Sequence, residues 1–90
     1  MAHFENEIEL QNHGLIRMPI TIVPIGIVRL LIQEMSLPYE PGMTVRRIIE
    51  GLDLPTELKV CGFVNGTRLK PDAFVQDGDT IRVVSLMMGG

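Results

Sequence analysis

The residues that could most clearly take part in a reaction are the two glycines at the end of the last apolar run, Gly89 and Gly90. Glycine has no side chain, so a Gly-Gly stretch can enter a narrow channel and adopt backbone dihedrals that are closed to other residues. A carboxylate on Gly90 is a poor electrophile until it is activated. The pair is therefore either a segment whose carboxylate is put to chemical use or an inert end of the chain.

The other nucleophilic and basic candidates are a lone cysteine and two histidines. Cys61 is the single cysteine, so an internal disulfide and paired-cysteine metal sites are excluded. A lone thiol in an apolar run is more often a small packed hydrophobe than a nucleophile. His3 and His13 lie in the N-terminal part with no partnering acid or cysteine pattern, so we assign them no catalysis.

Two further segments are candidates for a metal site and a phosphate site, and neither has the residues that such a site needs. Asp77-Gly78-Asp79 offers too few oxygen ligands for a calcium loop and favours a turn. Gly14 is not followed by the Gly-Lys-Thr or Gly-Lys-Ser triplet of a phosphate-binding loop. We expect no bound cofactor and no metal.

The composition is that of one small folded domain. The chain has 90 residues, 46% of them hydrophobic, and a net charge of −3 without a basic block, which argues against nucleic-acid binding. Leu15–Ile32 is the one stretch that resembles a membrane span, but it contains Arg17, Arg29 and two prolines. The front of the chain is acidic, unlike a signal peptide. We expect a soluble cytoplasmic protein.

Residues 1–24 differ in character from the rest and are interpreted as an N-terminal extension. Within Phe4–Leu10, apolar residues alternate with three glutamates, which is the period of a strand. Residues 11–14 suggest a turn, and Leu15–Val23 a second extended run rich in β-branched residues. The extension is predicted to be either an added hairpin or a flexible tail.

Residues 25–90 predict one helix and a sheet. Thr44 is a good N-cap for a helix. The apolar residues between Val45 and Leu52 recur with helical spacing, and Gly51 and Pro55 are expected to end the helix. Turn residues such as Asn65-Gly66 separate apolar runs that predict five strands. These strands are Val28–Ile32, Met35–Tyr39, Leu58–Val64, Thr67–Leu69 and Thr80–Met88. The order β-β-α-β-β-β indicates an α+β fold with a mixed sheet of four to five strands and one packed helix.

One face of this sheet is predicted to be apolar and free of the helix. In the last strand, Ile81 and Val83 are expected to point toward the helix, because side chains alternate along a strand. The residues expected on the opposite face are Val84, Leu86, Met88, Phe63 and Leu31. Such a face fits a partner protein, the N-terminal hairpin or a second copy of the chain.

The order of three motifs is similar to that of a known family. Phe63-Val64-Asn65-Gly66 is followed by Asp77-Gly78-Asp79 and then by an apolar strand ending in Gly89-Gly90. Over Ile25–Gly90, this resembles the ThiS/MoaD family of ubiquitin-like β-grasp sulfur carriers. The resemblance implies a β-grasp fold and a protein that is not itself an enzyme. It also implies adenylation of Gly90 by an ATP-using partner, followed by conversion to a thiocarboxylate.

The same resemblance implies the partners and the pathway. They are a ThiF/MoeB-like activating enzyme, a sulfur donor such as a cysteine desulfurase, and a ThiG-like or MoaE-like synthase. The short core with one brief helix favours thiamin biosynthesis over molybdopterin biosynthesis, and ATP is used by the partner alone. Two alternatives stay open: a ubiquitin-like modifier joined through Gly90 to lysines, and a β-grasp interaction domain without tail chemistry.

Overall fold

The fold is one mixed sheet with a short helix packed across it. The computed structural model describes residues 17–86, and residues 1–16 and 87–90 lie outside that range. A short 3-10 helix, Gly26–Leu30, follows the first strand, and the helix α1 covers Val45–Gly51. The strands are β1 (Ile20–Pro24), β2 (Met35–Leu37), β3 (Val60–Val64), β4 (Thr67–Leu69) and β5 (Thr80–Ser85). The predicted α+β order of β-β-α-β-β-β is confirmed.

The sheet has the order β2-β1-β5-β3-β4, with β2 and β4 at its edges. The central strands β1 and β5 run parallel, with Ile22 opposite Ile81, and the other three pairs are antiparallel. The first and last strands of the described chain thus lie side by side in the middle of the sheet.

The hydrophobic core lies between the sheet and α1. Alternate residues of the central strands are fully buried, among them Ile22 on β1 and Ile81 on β5. Val45 and Ile48 face them from the helix, as the helical spacing predicted, and are at most 3% exposed. The complete buried cluster is Ile20, Ile22, Val28, Val45, Ile48, Leu52, Val75, Ile81 and Val83.

The start of α1 is held by its capping residue. The hydroxyl of Thr44 accepts a hydrogen bond from the backbone N–H of Arg47 at 3.2 Å. This bond satisfies one of the backbone donors that the first turn of a helix leaves unpaired. The predicted cap is confirmed.

The first strand was predicted in the wrong place. Val28–Ile32 was expected to be a strand, but Gly26–Leu30 is a 3-10 helix in which the N–H of Val28 bonds to the carbonyl of Ile25. Gly26 has φ of +61°, a backbone conformation that breaks an extended run. The first strand is instead Ile20–Pro24, so the sheet begins inside the segment assigned to the N-terminal extension.

The predicted hairpin would pair Phe4–Leu10 with Leu15–Val23. The position of β1 excludes this pairing for residues Ile20–Val23. β1 is already hydrogen-bonded to β2 on one side and to β5 on the other. A strand has only two edges, so no third strand can pair with Ile20–Pro24. Phe4–Leu10 itself lies outside the described residues.

The ends of three other strands differ from the prediction. β5 ends at Ser85, not Met88, because Leu86 already lies outside the strand; Met88 itself is outside the described residues. β2 ends at Leu37, not Tyr39, because its partner β1 begins at Ile20, which lies opposite Leu37, so no residue of β1 lies opposite Pro38. β3 starts at Val60, not Leu58, because the N–H of Leu58 closes a turn onto the carbonyl of Pro55. The turn between β3 and β4 is as predicted, with positive φ at Asn65 and Gly66.

Candidate functional site

The candidate site is the side of the sheet that faces away from α1, here called the outer face. Residues opposite each other in neighbouring strands share a face. The register places Val23, Arg82, Phe63 and Arg68 in one row across β1, β5, β3 and β4. Phe63 is half-buried between two exposed arginines. The row thus offers an aromatic ring between two positive charges.

The next row of the outer face is apolar. Val84 on β5 is half-buried and lies opposite Cys61 on β3, which is 7% exposed. The placement of Val84 and Phe63 away from the helix agrees with the alternation argument, since Ile81 and Val83 are fully buried on the other side. Cys61 is a buried free thiol, and it packs as a small hydrophobe.

Leu31 does not belong to this face by strand alternation, contrary to the prediction. Leu31 is the residue that caps the C-terminal end of the 3-10 helix, and its N–H donates to the carbonyl of Val28. Leu31 is 47% exposed, and neighbouring Leu30 is 82% exposed. Because the segment is helical, the period of two that linked Leu31 to Phe63 has no meaning there.

The two arginines of the outer face were missed by the sequence analysis. The signal was present, because Arg82 lies between two core residues of β5 and must therefore point the other way. Arg68 requires the hairpin register, which follows from the two-residue turn at Asn65-Gly66. Within residues 17–86 the ion pair found is Arg46 with Asp72, at 2.7 Å, and neither outer arginine takes part in it.

Leu86 occupies the point where the chain leaves the sheet. Its N–H donates to the carbonyl of Lys59 at 2.7 Å, and its side chain is 42% exposed. Leu86 also lines a groove of about 220 Å³ whose walls include Ile49 of α1 and Leu69 of β4. The prediction that alternation places Leu86 on the outer face is therefore wrong, because β5 ends at Ser85 and Leu86 lies beside the helix. Small-molecule sites usually have volumes of about 300–1,000 Å³, so this groove suits protein side chains better.

The remaining predicted site residues lie beyond this point. Met88, Gly89 and Gly90 are outside the described residues, so the geometry of the tail is not part of the site described here. Among the described side chains, no group of three or more His, Cys, Asp or Glu residues is close enough to hold a metal ion. None of the helices found between residues 17 and 86 has the length and apolar character needed to span a bilayer.

Comparison with known proteins identifies the fold. A scan against family models and a search of curated proteins find no match. Among solved structures, the chain is similar to "Caldiarchaeum Subterraneum Ubiquitin", with a TM-score of 0.56 and 25% sequence identity. The match covers 82% of this chain and 99% of that chain. The fold is a ubiquitin-like β-grasp.

The ubiquitin-like β-grasp accounts for the position of every described element. Its single helix crosses one face of a five-stranded mixed sheet, so the other face is left for contacts outside the core. β5 ends at Ser85, so the chain leads from the sheet through Leu86 toward Gly89-Gly90.

Proposed function

We propose that this protein is a sulfur carrier whose Gly90 carboxylate is activated by a partner enzyme and converted to a thiocarboxylate. The observation that supports it best is the Gly89-Gly90 pair placed a few residues after β5 of a ubiquitin-like β-grasp. A glycine pair so close to a rigid strand can reach into a narrow active site while the folded domain docks outside it.

The proposed chemistry takes place in two stages on Gly90. The carboxylate oxygen attacks the α-phosphorus of ATP, which forms an acyl-adenylate and releases pyrophosphate. A persulfide sulfur then attacks the acyl carbon and AMP leaves. A thiol cleaves the resulting acyl disulfide, so that the thiocarboxylate and a new disulfide are the products. The partner enzyme holds ATP, and this chain supplies the reacting carboxylate.

The partners proposed for this cycle follow from the same chemistry. A ThiF/MoeB-like enzyme adenylates Gly90, and a cysteine desulfurase supplies the persulfide. A ThiG-like or MoaE-like synthase then consumes the thiocarboxylate, with thiamin biosynthesis preferred over molybdopterin biosynthesis. Phe63, Val84, Leu86 and Met88 are proposed to contact the activating enzyme, and the arginines beside Phe63 give that contact a positive edge.

A protein modifier is the second candidate, and the structural comparison favours it. The similar solved structure is named a ubiquitin, and the match includes almost all of that chain. In this case the activated Gly90 carbonyl would be attacked by a lysine amine of a target protein, and an isopeptide bond would form. Both candidates share the adenylation step and differ in the nucleophile that follows.

Intact-mass measurement after expression in the native cell separates the candidates. The sulfur-carrier proposal predicts a species heavier by the difference between one sulfur and one oxygen atom. The modifier proposal predicts a ladder of larger adducts, in which Gly90 is joined to lysines of target proteins. The same measurement checks that Gly90 carries a free carboxylate, which both candidates require. A protein that is folded and unmodified, and that is never adenylated by any activating enzyme of its own cell, would contradict both.

Two variants provide the control for this measurement. Deletion of Gly89-Gly90 is expected to abolish both products, because the reacting carboxylate moves away from the position that the partner binds. Gly51→Ala changes a glycine at the end of α1 where an added Cβ meets nothing within 4 Å, so modification should persist.

A further inference from the structure

The edge strand β4 offers the backbone groups of Arg68 to another strand, whereas the carbonyl of Lys70, just beyond β4, already accepts from the N–H of Ala73. In a two-residue hairpin, the residues next to the turn exchange both backbone hydrogen bonds, and the following pair does not. Val64 and Thr67 flank the turn, and Phe63 and Arg68 form the following pair. The N–H and C=O of Arg68 therefore point to the open edge of the sheet.

The two sides of this edge differ in chemistry. On the side of α1 lies the groove, with apolar walls from Val45, Ile49, Val60 and Leu69. Arg46, Glu50 and part of Arg68 also line it. On the outer face lies the exposed guanidinium of Arg68. A strand that fits here must carry apolar residues on one face and acids on the other.

Phe4–Leu10 has this pattern. Phe4, Ile8 and Leu10 fall on one face of an extended segment, and Glu5, Glu7 and Glu9 fall on the opposite face. Residues 1–16 contain no lysine or arginine, so the net charge of −3 of the whole chain resides in this part. Charge complementarity therefore directs the segment toward a basic edge.

The opposite edge of the sheet is a poorer match. β2 is flanked by the exposed acids Glu34 and Glu40, which would repel the three glutamates. Along β4 and within three residues of it the charged residues are Arg68, Lys70 and Asp72, all exposed, and the carboxylate of Asp72 is paired with Arg46. The two edges thus differ in the sign of their charge, and the acidic segment fits β4.

Residues 11–19, which connect Phe4–Leu10 to β1, are long enough for the segment to reach the edge of β4. A strand added outside β4 lies four strand spacings from β1, about 19 Å, and residues 11–19 can span about 30 Å when extended. β4 and β5 are both antiparallel to β3, so both start at the same end of the sheet. Residue 18 is at that end, since the carbonyl of Met18 accepts from the N–H of Gly78. The segment would run toward that end, antiparallel to β4.

We propose that Phe4–Leu10 of this chain adds to β4 as a sixth, antiparallel strand, with its apolar residues on the side of the groove and its glutamates on the side of Arg68. This inference stands apart from the chemistry of Gly90.

Amide hydrogen exchange measured by NMR on the full chain tests the proposal. In the added ladder the N–H of Arg68 is hydrogen-bonded, so the Glu7→Lys/Glu9→Lys variant should exchange this proton at least about tenfold faster than the original chain. The matched control, Glu34→Lys/Glu57→Lys, changes the net charge equally at exposed positions away from β4 and should leave the rate unchanged. Adding Arg68→Glu to the first variant should restore slow exchange.

Three outcomes would overturn the proposal. Equal exchange at Arg68 in all variants would show that the segment does not cover β4. Loss of protection at Ser36 in the Glu7→Lys/Glu9→Lys variant would place the segment on the β2 edge instead. Protection at Arg68 that falls on dilution would show that a second copy of the chain, and not its own N-terminal segment, occupies the edge.

Discussion

At the residue scale, Gly62 is the position where the sheet and the helix leave no room for a side chain. A Cβ added at Gly62 would lie 3.0 Å from Cγ2 of Ile81 and 3.5 Å from Cγ1 of Val45. Both neighbours are at most 1% exposed, so neither can move without disturbing the core. Glycine is required here by close packing and not by an unusual dihedral.

Gly62→Ala is therefore expected to lower the free energy of unfolding by about 1–3 kcal/mol, the usual cost of overpacking a core. Gly51→Ala serves as the control, because an added Cβ there meets open space and alanine favours a helix by up to about 1 kcal/mol. Chemical denaturation of both variants measures the difference. If Gly62→Ala were as stable as Gly51→Ala, α1 would not lie against β3 as described.

Leu86 combines partial exposure with a position beside the groove and the exit of the tail. Leu86→Asp should leave the melting temperature nearly unchanged, because the side chain is 42% exposed. Its affinity for the activating enzyme should fall by roughly thirtyfold, since interface anchors contribute more than about 2 kcal/mol. The control is Leu30→Asp, on the 3-10 helix and 82% exposed, which adds the same charge elsewhere.

Calorimetric melting and titration with the activating enzyme measure both quantities. A collapsed melt for Leu86→Asp would place Leu86 in the core. Equal losses of affinity for Leu86→Asp and Leu30→Asp would mean that the added negative charge weakens binding wherever it is placed, and that Leu86 is not a contact residue.

At the element scale, α1 depends on its cap because it is only 7 residues long. Thr44→Ala removes the hydroxyl that accepts from Arg47 at 3.2 Å and should destabilise the protein by about 1 kcal/mol. Thr44→Ser keeps an acceptor at the same position and should retain most of the stability. Urea denaturation compares the two. A loss for serine as large as for alanine would show that the methyl group, and not the hydrogen bond, is what matters.

The packing of α1 is tested by one buried and one exposed position. Ile48→Ala should cost about 2–5 kcal/mol, because Ile48 is 3% exposed within the core cluster. Arg46→Ala should cost less than about 1 kcal/mol, because its ion pair with Asp72 joins side chains that are 55% and 81% exposed. Thermal or chemical unfolding measures both changes, and equal costs would contradict the assigned helix face.

The sequence predicts most elements because their signals are local. The helix follows from the N-cap at Thr44 and the apolar spacing, and the hairpin from Asn65-Gly66. The first strand was misplaced because Ile20–Pro24 and Val28–Ile32 are equally apolar, and only pairing with β5 decides between them. The Pro24-x-Gly26 break was the local sign that the second run could not stay extended.

The candidate site is predicted less completely, because it depends on contacts between distant parts of the chain. Alternation along β5 is enough to place Val84 on the outer face. The row of Arg68, Phe63 and Arg82 needs the register of three strands, which one strand's pattern does not supply. The groove beside Leu86 needs the packing of α1 against the sheet as well.

At the scale of the whole molecule, β5 holds the two halves of the sheet together. It pairs with β1 on one side and β3 on the other, and it contributes Ile81 and Val83 to the core, both 0% exposed. A chain truncated after Asp79 should therefore show no cooperative melt. Deletion of Gly89-Gly90 is the control and should keep the original stability to within about 0.5 kcal/mol, as for most changes away from the core. A cooperative melt of the longer truncation would mean that β1 and β2 fold without β5.

The parallel pairing of β1 with β5 has a consequence for the order of events during synthesis. β1 is among the first described residues to leave the ribosome, and its partner β5 is among the last. Contacts between residues far apart in sequence form late and slow folding, so β1 must wait with Ile20 and Ile22 uncovered until β5 arrives. Folding therefore waits for the synthesis of Thr80–Ser85, and a nascent chain interrupted before Thr80 leaves one edge of the apolar strand β1 unpaired, where chaperones and proteases can bind.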